Sequence, residues 1–345
     1  MIISSYISCR RLSIGGGIHM LLKFALPIFC TAVHQWTILP TADAFSSSGS
    51  SLTPSQLRPK DGEQGGDIGK RVALITGANK GIGKEIVRLL AQDETFPEPW
   101  YIFLGSRDEE RGKRAVDELA PYLTRGNKII LCPLDITSSS SIEGAVQAIQ
   151  DICQGQLDVL INNAAICFND STLYGTRQHT PFAEQADLTI QTNFYGTLRV
   201  TQAIIPLLQK SDSPRIINMA GSAGGLNCLQ SEYLIDCFTN PYLELNDLIG
   251  LMKEFVSDVE NGGIHGLNGW PESPYAASTL GVIAMTKVLA RNYKGIMINS
   301  VDPGWCATDQ NNWQGMLPAG EGAIVPYRMA ILPKEDYVTG MNIEG

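Results

Sequence analysis

From Arg71 onward, the chain alternates short apolar, β-branched runs with segments of helical periodicity. Runs that are apolar throughout are typical of strands buried on both faces of a parallel sheet. Helical segments between such strands predict crossover connections, and therefore a doubly wound, Rossmann-type α/β domain. The predicted strands are "RVALIT", "YIFLGS", "KIILCPL", "LDVLINNA", "PRIINMAG" and "GIMINSVDPG", with a weak terminal strand in "DYVTGMNI".

One segment interrupts this alternation. Residues 226–273 contain an additional helical pattern, "NPYLELNDLIGLMKEFVSDVEN", just before the stretch "SPYAASTLG" that contains Tyr275. We therefore predict a single parallel-sheet domain over residues 71–345, with a helical insertion before Tyr275. A length of about 275 residues suits one large α/β domain.

The stretch "TGANKGIG", Thr76 to Gly83, lies between the first predicted strand and the first helix. In such a turn the first glycine permits a sharp bend, the second a close approach to a diphosphate, and the third tight helix–strand packing. Gly77, Gly81 and Gly83 stand at these positions. The free N–H groups at the start of the helix complete an anion site. The sequence therefore predicts a dinucleotide-binding turn.

The end of the second strand predicts which dinucleotide binds. An NAD site usually has an acidic residue there, which holds the ribose 2′-hydroxyl. This chain has Gly105, Ser106 and then Arg107. Arg107 and Lys80 could converge on a 2′-phosphate, which favours NADP(H). Asp108 is one residue too far along, and Arg107 could alternatively be a solvated surface charge.

In these motifs the chain resembles the short-chain dehydrogenase/reductase family, and most closely its monomeric carbonyl reductases. The resemblance covers residues 71 to about 343. It includes "GLMKEFV" in the insertion, and in the carbonyl reductases the corresponding segment covers a helical face that other members use for dimerisation. A monomer is therefore implied. The motifs are "TGANKGIG", "SRD", "LDI", "NNAAI", "TNFYGT", the Tyr275 helix and "DPGW".

The resemblance also implies roles for single residues. Tyr275 would donate the proton to a carbonyl oxygen, and Asn193 would fix a water in the proton relay. Asp135 would hold the adenine, Asn162 would lie by the cofactor ribose, and the backbone near Pro303 would flank the nicotinamide. The implied cofactor-binding residues are Gly77, Asn79, Lys80, Gly81, Ile82, Gly83, Arg107, Asp135, Ile136, Asn162, Tyr275, Pro303 and Gly304.

Two catalytic residues of the family are absent. Where the family has the serine of a pattern such as "NVSS", this chain has "NMAG", with Gly221 at the serine position. Ser222 follows, and strand alternation would point it to the other side unless the turn loosens. The family's lysine is replaced by Thr279.

The missing lysine should slow proton transfer, because tyrosine has a pKa near ~10 and a nearby ammonium stabilises its phenolate. Removing a unit charge costs ~1–4 kcal/mol, or roughly 10- to 1000-fold in rate. Two functions remain open: slow NADPH-dependent reduction of ketones, aldehydes or quinones, or a catalytically inactive NADP(H)-binding protein that acts as a sensor or through a partner. Aromatic and apolar residues near the site, including Phe168, Trp313 and Met316, favour an apolar or aromatic carbonyl substrate.

The first seventy residues do not follow the pattern of the domain. Residues 1–44 have basic residues, an apolar run too short to span a bilayer and an Ala42-Asp43-Ala44 cleavage pattern, all typical of a signal peptide. Residues 45–70 begin with a Ser-rich stretch that lacks acidic residues and resembles the second part of a bipartite plastid presequence. We expect plastid import. A cytoplasmic protein with a disordered tail is the alternative.

Charge and cysteine spacing restrict the partners further. The net charge of −9 argues against binding to nucleic acid or to an anionic membrane surface. The cysteines form no CxxC pair and no tight spacing with the histidines, so no metal site is expected.

Overall fold

The computed structural model describes residues 69–168 and 181–344. The signal-like segment 1–44 and all but the last two residues of segment 45–70 lie outside the described residues, so the proposed domain boundaries remain predictions. The strands in the described part, β1 to β9, span Arg71–Ile75, Trp100–Ser106, Lys128–Pro133, Val159–Asn162, Arg215–Met219, Met297–Asp302, Cys306–Ala307, Leu317–Pro318 and Asn342–Glu344.

The helices surround these strands and alternate with them along the chain. None of the helices in the described residues is long and apolar enough to cross a membrane. The α-helices there, α1 to α10, span Gly81–Ala91, Glu109–Leu119, Ser139–Cys153, Phe182–Thr189, Thr197–Leu208, Glu232–Thr239, Leu245–Glu260, Pro274–Asn292, Ala319–Gly322 and Ile324–Ile331.

Seven strands form one parallel sheet in the order β3-β2-β1-β4-β5-β6-β9. Alternate residues of β1 enter different cores: Val72 and Leu74 pack on one face, Ala73 and Ile75 on the other. This alternation is the pleat of a strand whose two faces are both covered. The prediction of a doubly wound parallel sheet is confirmed. Its strand order reverses between β1 and β4, where such sheets bind ligands at their carboxyl edge.

Several element boundaries differ from the sequence pattern. Helix α1 begins at Gly81, three residues before the predicted "KEIVRLLAQ", because the glycine turn itself enters the helix. The long helical pattern from Pro181 is divided by a π-helix over Ile190–Gly196, which connects α4 to α5. The terminal strand comprises only Asn342–Glu344, so most of "DYVTGMNI" precedes it.

The insertion forms α6 and α7, and α7 packs against α8. Met252 of α7 lies so close that a Cβ at Gly281 of α8 would be 2.3 Å from its Sδ atom. Fifteen of the nineteen residues of α8 are buried, which is unusual for a helix on the outside of a sheet. The insertion therefore covers the helix that begins with the candidate catalytic tyrosine.

Candidate active site

The glycine turn after β1 has the backbone geometry that its motif predicts. Gly77 and Gly81 have φ angles of +62° and +55°, in the region that residues with a side chain rarely adopt. A Cβ at Gly77 would lie 2.8 Å from Ala164 Cα, and one at Gly83 would lie 2.4 Å from Asn163 Nδ2. The turn, the segment after β4 and the start of α1 are therefore in contact, with no space for a side chain between them.

The start of α1 is suited to bind an anion. Lys80, the N-cap residue, has an extended backbone, and no side chain caps the helix. No acidic residue lies in the first turn. The unpaired N–H groups at the helix start and its positive dipole end are what a diphosphate requires. The three glycines and the start of α1 thus fit the diphosphate of a dinucleotide, and the roles of Asn79 and Ile82 stay predictions.

The two cations predicted to bind a 2′-phosphate differ in their surroundings. Arg107 is exposed directly after β2. The neighbouring Asp108 is engaged elsewhere, since it caps α2 by accepting the Arg111 N–H at 2.9 Å, and this hydrogen bond lowers the pKa of Asp108. Lys80 forms an ion pair with Asp309, on the loop after β7. A phosphate at Lys80 would therefore have to compete with Asp309.

Asp135 and Ile136 follow β3 at the same edge of the sheet. One oxygen of Asp135 accepts the backbone N–H of Thr137 at 2.8 Å and its hydroxyl at 2.6 Å, which forms a tight Asx turn. Ile136 is buried, and its side chain would be 2.9 Å from a Cβ at Gly196. Ile136 thus packs into the core, while Asp135 stays partly exposed at the edge.

The side chain of Asn162 points into the domain. Its side chain is 5% exposed and donates to Thr201 Oγ1 at 2.9 Å and to Asn218 Oδ1 at 2.8 Å, inside the domain rather than in the cleft. The residue that contacts the glycine turn is Asn163, whose Nδ2 donates to the carbonyl oxygens of Thr76 and Gly77. The ribose role predicted for Asn162 is therefore not supported by its side-chain contacts. The doubled asparagine was a signal for both positions, but it could not indicate which one faces the turn.

Asn193 lies in the π-helix and joins three elements. Its Oδ1 accepts the Ile166 N–H at 2.8 Å, and its Nδ2 donates to the Ile166 carbonyl at 2.9 Å and to Ser278 Oγ at 3.0 Å. The side chain thereby fixes the segment after β4 against the first turns of α8. The water-relay role of Asn193 stays a prediction.

Tyr275 lies in the first turn of α8, which Ser273 caps by accepting the Ala276 N–H. The hydroxyl of Thr279 donates back to the Tyr275 carbonyl at 2.9 Å. Thr279 therefore stabilises the helix and has no charge to offer the phenol. The exposed Lys287 is twelve residues further along the helix, ~18 Å away by helix rise.

The turn after β5 confirms that no hydroxyl occupies position 221. Gly221 is extended, with φ −71° and ψ 166°, and Ser222 opens a short 3-10 helix, Ser222–Gly224, where strand alternation no longer applies. Ser222 is exposed, and its backbone N–H donates to Asp302 Oδ2 at 2.7 Å. The motif "DPGW" contains Asp302, but the family resemblance implied no role for it.

Pro303 and Gly304 follow β6 at the carboxyl edge of the sheet. Gly304 has a φ angle of +75°, and its N–H donates to Asp302 Oδ1 at 2.9 Å. Beyond this turn, Trp305, Trp313 and Met316 are 48%, 69% and 80% exposed. The Met316 N–H donates to the Trp305 carbonyl at 2.9 Å, so these exposed apolar residues belong to the segment that follows the turn.

The fold and this site define the class of protein. The chain belongs to the short-chain dehydrogenase/reductase family, and a family model for short chain dehydrogenases matches residues 71–232. The family resemblance predicted from the motifs is therefore confirmed.

Named relatives and solved structures are similar to this chain over most of their own length. Carbonyl reductase (NADPH) 3 of Rattus norvegicus is 37% identical over 276 residues, which cover 77% of this chain and 92% of that protein. The (+)-neomenthol dehydrogenase of Capsicum annuum is 35% identical over 305 residues, covering 77% and 93%. Among solved structures, a menthone neomenthol reductase from Mentha piperita has a TM-score of 0.66 and 30% identity, covering 80% of this chain and 98% of that one.

Proposed function

We propose that this protein reduces ketones, aldehydes or quinones with NADPH, and that it does so slowly. The observation that carries the proposal is the position of Tyr275, in the first turn of a helix packed against the turn after β5. A Cβ at Gly224 of that turn would lie 2.4 Å from Leu280 N of the helix. The helix that carries Tyr275 is thus packed against the turn at the carboxyl end of β5.

The described residues fit NADPH. The uncapped start of α1 and the glycines before it would hold the diphosphate, and Arg107 and Lys80 would hold the 2′-phosphate. Asp135 would lie at the adenine end, and Pro303 and Gly304 at the nicotinamide end. When bound, NADPH supplies the hydride that adds to the carbonyl carbon. Relatives named as NADPH-dependent carbonyl reductases support this assignment.

The chain's own residues would perform the proton transfer. Tyr275 donates its proton to the carbonyl oxygen, and Asn193 holds the elements around it in place through Ile166 and Ser278. Positioning by the scaffold survives without the family's serine and lysine. General acid catalysis is worth ~10²–10⁴-fold, and most of that should be lost with Gly221 and Thr279 in their places.

These two replacements also favour a second candidate, a nucleotide-binding protein without turnover that acts as a sensor or through a partner. The test uses the full chain with NADPH and a panel of quinones and aldehydes, followed by loss of absorbance at the nicotinamide band. Slow turnover that Tyr275→Phe abolishes supports the reductase. Tight NADPH binding without turnover selects the second candidate, and binding of neither nicotinamide dinucleotide rejects both.

Two further properties belong to the proposal. Helix α7 covers α8, which supports a monomer. Light scattering tests this, and a mass in solution of twice the chain mass would contradict it.

The composition of residues 1–44 and 45–70 supports import into a plastid through a bipartite presequence. A fluorescent fusion of residues 1–70 should enter plastids in an alga with complex plastids, and fluorescence confined to the cytosol would favour the alternative.

The exposed Trp305, Trp313 and Met316 support an apolar or aromatic carbonyl substrate. A flat quinone buries more area against such side chains than a small aldehyde does, so it should have the lower KM. Equal KM values for the two classes would contradict this assignment.

A further inference from the structure

Asp302 is a buried carboxylate that connects the two turns of the candidate active site. It ends β6 and is 8% exposed. Its Oδ2 accepts the N–H of Ser222, after β5, at 2.7 Å, and its Oδ1 accepts the N–H of Gly304 at 2.9 Å. Both partners are donors, which suits an ionised carboxylate because it has acceptor sites only.

This carboxylate faces the position that the absent serine would occupy. A Cβ at Gly221 would lie 3.5 Å from Asp302 Oδ1. None of the ion pairs found among residues 69–168 and 181–344 includes Asp302, so no described lysine or arginine neutralises it. The pKa of the neighbouring Cys306 thiol is raised chiefly by burial, lowered by a hydrogen bond with the Gly322 backbone, and raised further by the charges of Asp302 and Glu321.

The charge therefore lies at the half of the sheet edge formed by β4, β5 and β6. In a doubly wound sheet with a diphosphate at the β1–α1 turn, the two halves of a dinucleotide lie on opposite sides of that turn. The adenine half belongs over β2 and β3, which leaves the nicotinamide half over β4 to β6. At position 279 the family has a cation and this chain has the neutral Thr279. In addition, this chain has the carboxylate of Asp302, which forms no ion pair with any described residue.

We propose that Asp302 makes this site favour the oxidised, cationic nicotinamide over the reduced, neutral one. The inference rests on the proposed function. When bound, NADPH would supply a hydride, one proton with two electrons, to the carbonyl carbon, and its neutral dihydronicotinamide would become the cationic nicotinamide. Tyr275 would give its proton to the carbonyl oxygen. An unpaired carboxylate in a partly buried site attracts that cation and has no charge to attract in the neutral ring.

The consequence is measurable without turnover, as the ratio of the dissociation constants for NADP⁺ and NADPH. Asp302→Asn removes the charge, but its amide oxygen can still accept one of the two N–H groups. We expect this substitution in the full chain to raise the NADP⁺/NADPH ratio of dissociation constants about tenfold, as loss of a unit charge at partly buried range predicts. Calorimetric titration of both nucleotides provides the ratio.

Two controls separate charge from structure. Ser222→Pro removes one hydrogen bond to Asp302 and leaves the charge, and it is compatible with the extended Gly221 before it. Asp117→Asn makes the same chemical change on the exposed surface of α2. Both should keep the wild-type ratio. A purely structural role for Asp302 would weaken both nucleotides equally, so an unchanged ratio in Asp302→Asn overturns the inference.

If Asp302→Asn does not fold, Asp302→Ser provides the same test, because it also removes the charge and has a smaller side chain. It must shift the NADP⁺/NADPH ratio of dissociation constants in the same direction. If the wild-type protein binds neither nucleotide, the proposed function fails and the inference fails with it. If it binds both and neither neutral variant changes the ratio, only the inference fails.

Discussion

A lysine at position 279 should restore part of the missing proton transfer, because its ammonium would lie one helical turn from Tyr275. Thr279 is 5% exposed, and its hydroxyl donates a hydrogen bond to the Tyr275 carbonyl at 2.9 Å. A unit charge introduced there is worth ~1–4 kcal/mol, so kcat/KM for quinone reduction should rise by roughly 10- to 1000-fold.

The same substitution should lower stability. It removes one hydrogen bond, worth about 0.5–1.5 kcal/mol. It also places a cation in the first turns of α8, where the helix dipole disfavours it by about 0.3–1 kcal/mol. Gly224 is already close, since a Cβ there would be 2.7 Å from Thr279 Cγ2, so the lysine stem has to leave along the helix. Thermal unfolding should therefore occur a few degrees lower while activity rises, by about the shift expected for a loss of this size.

Adding Gly221→Ser to the Thr279→Lys protein should raise kcat/KM by less than the family's serine-containing pattern predicts. The backbone at Gly221 accepts a side chain, but the new hydroxyl would lie within hydrogen-bonding range of Asp302, whose Oδ1 is 3.5 Å from the Cβ position. The assay is steady-state NADPH oxidation by the wild type, each single variant and the double variant. Thr279→Met, of similar length and neutral, is the matched control. A Thr279→Lys protein that binds NADPH normally and is no faster than Thr279→Met would refute the charge argument.

Three other outcomes follow from the geometry. Gly83→Ala should cost about 1–3 kcal/mol of unfolding free energy and weaken nucleotide binding, because its Cβ would meet Asn163 Nδ2 at 2.4 Å; an unchanged urea midpoint would contradict this. Asn193→Ala leaves two partly buried backbone groups of Ile166 unpaired, so kcat should fall together with stability, and Asn193→Asp, which puts a carboxylate oxygen against the Ile166 carbonyl, should lose at least as much. Burial raises the pKa of the Cys167 thiol to about 11, so its alkylation rate should climb about tenfold per pH unit from pH 7 to pH 10; a rate that levels off above about pH 9 would show an ordinary thiol.

Much of the scaffold was predictable because its causes are local in the chain. Uniformly apolar runs such as that of β1 indicate strands covered on both faces, and the structure buries four of its five residues. The glycine turn was predictable because glycine adopts the positive φ angles required at Gly77 and Gly81 at far lower cost than other residues. The absence of a hydroxyl at position 221 and of a charge at position 279 is a property of the residues themselves and needs no coordinates.

Contacts between distant segments could not be predicted in this way. At the end of β4, the pleat and the neighbouring β5 decide that Asn162 points into the core and Asn163 toward the glycine turn, and the pair "NN" looks the same in either arrangement. The Lys80–Asp309 ion pair joins residues 229 positions apart, and Asp302 meets Ser222 across 80 positions.

The sequence by itself determined the layered sheet, the phosphate-binding turn and the loss of two catalytic side chains, because periodicity, backbone freedom and residue chemistry are properties of short segments. Only the tertiary structure decided which asparagine faces the turn and that a carboxylate lies beside the missing serine. Parallel strands bring their carboxyl ends to one edge whatever their separation in the chain, so the partners there depend on strand order and register.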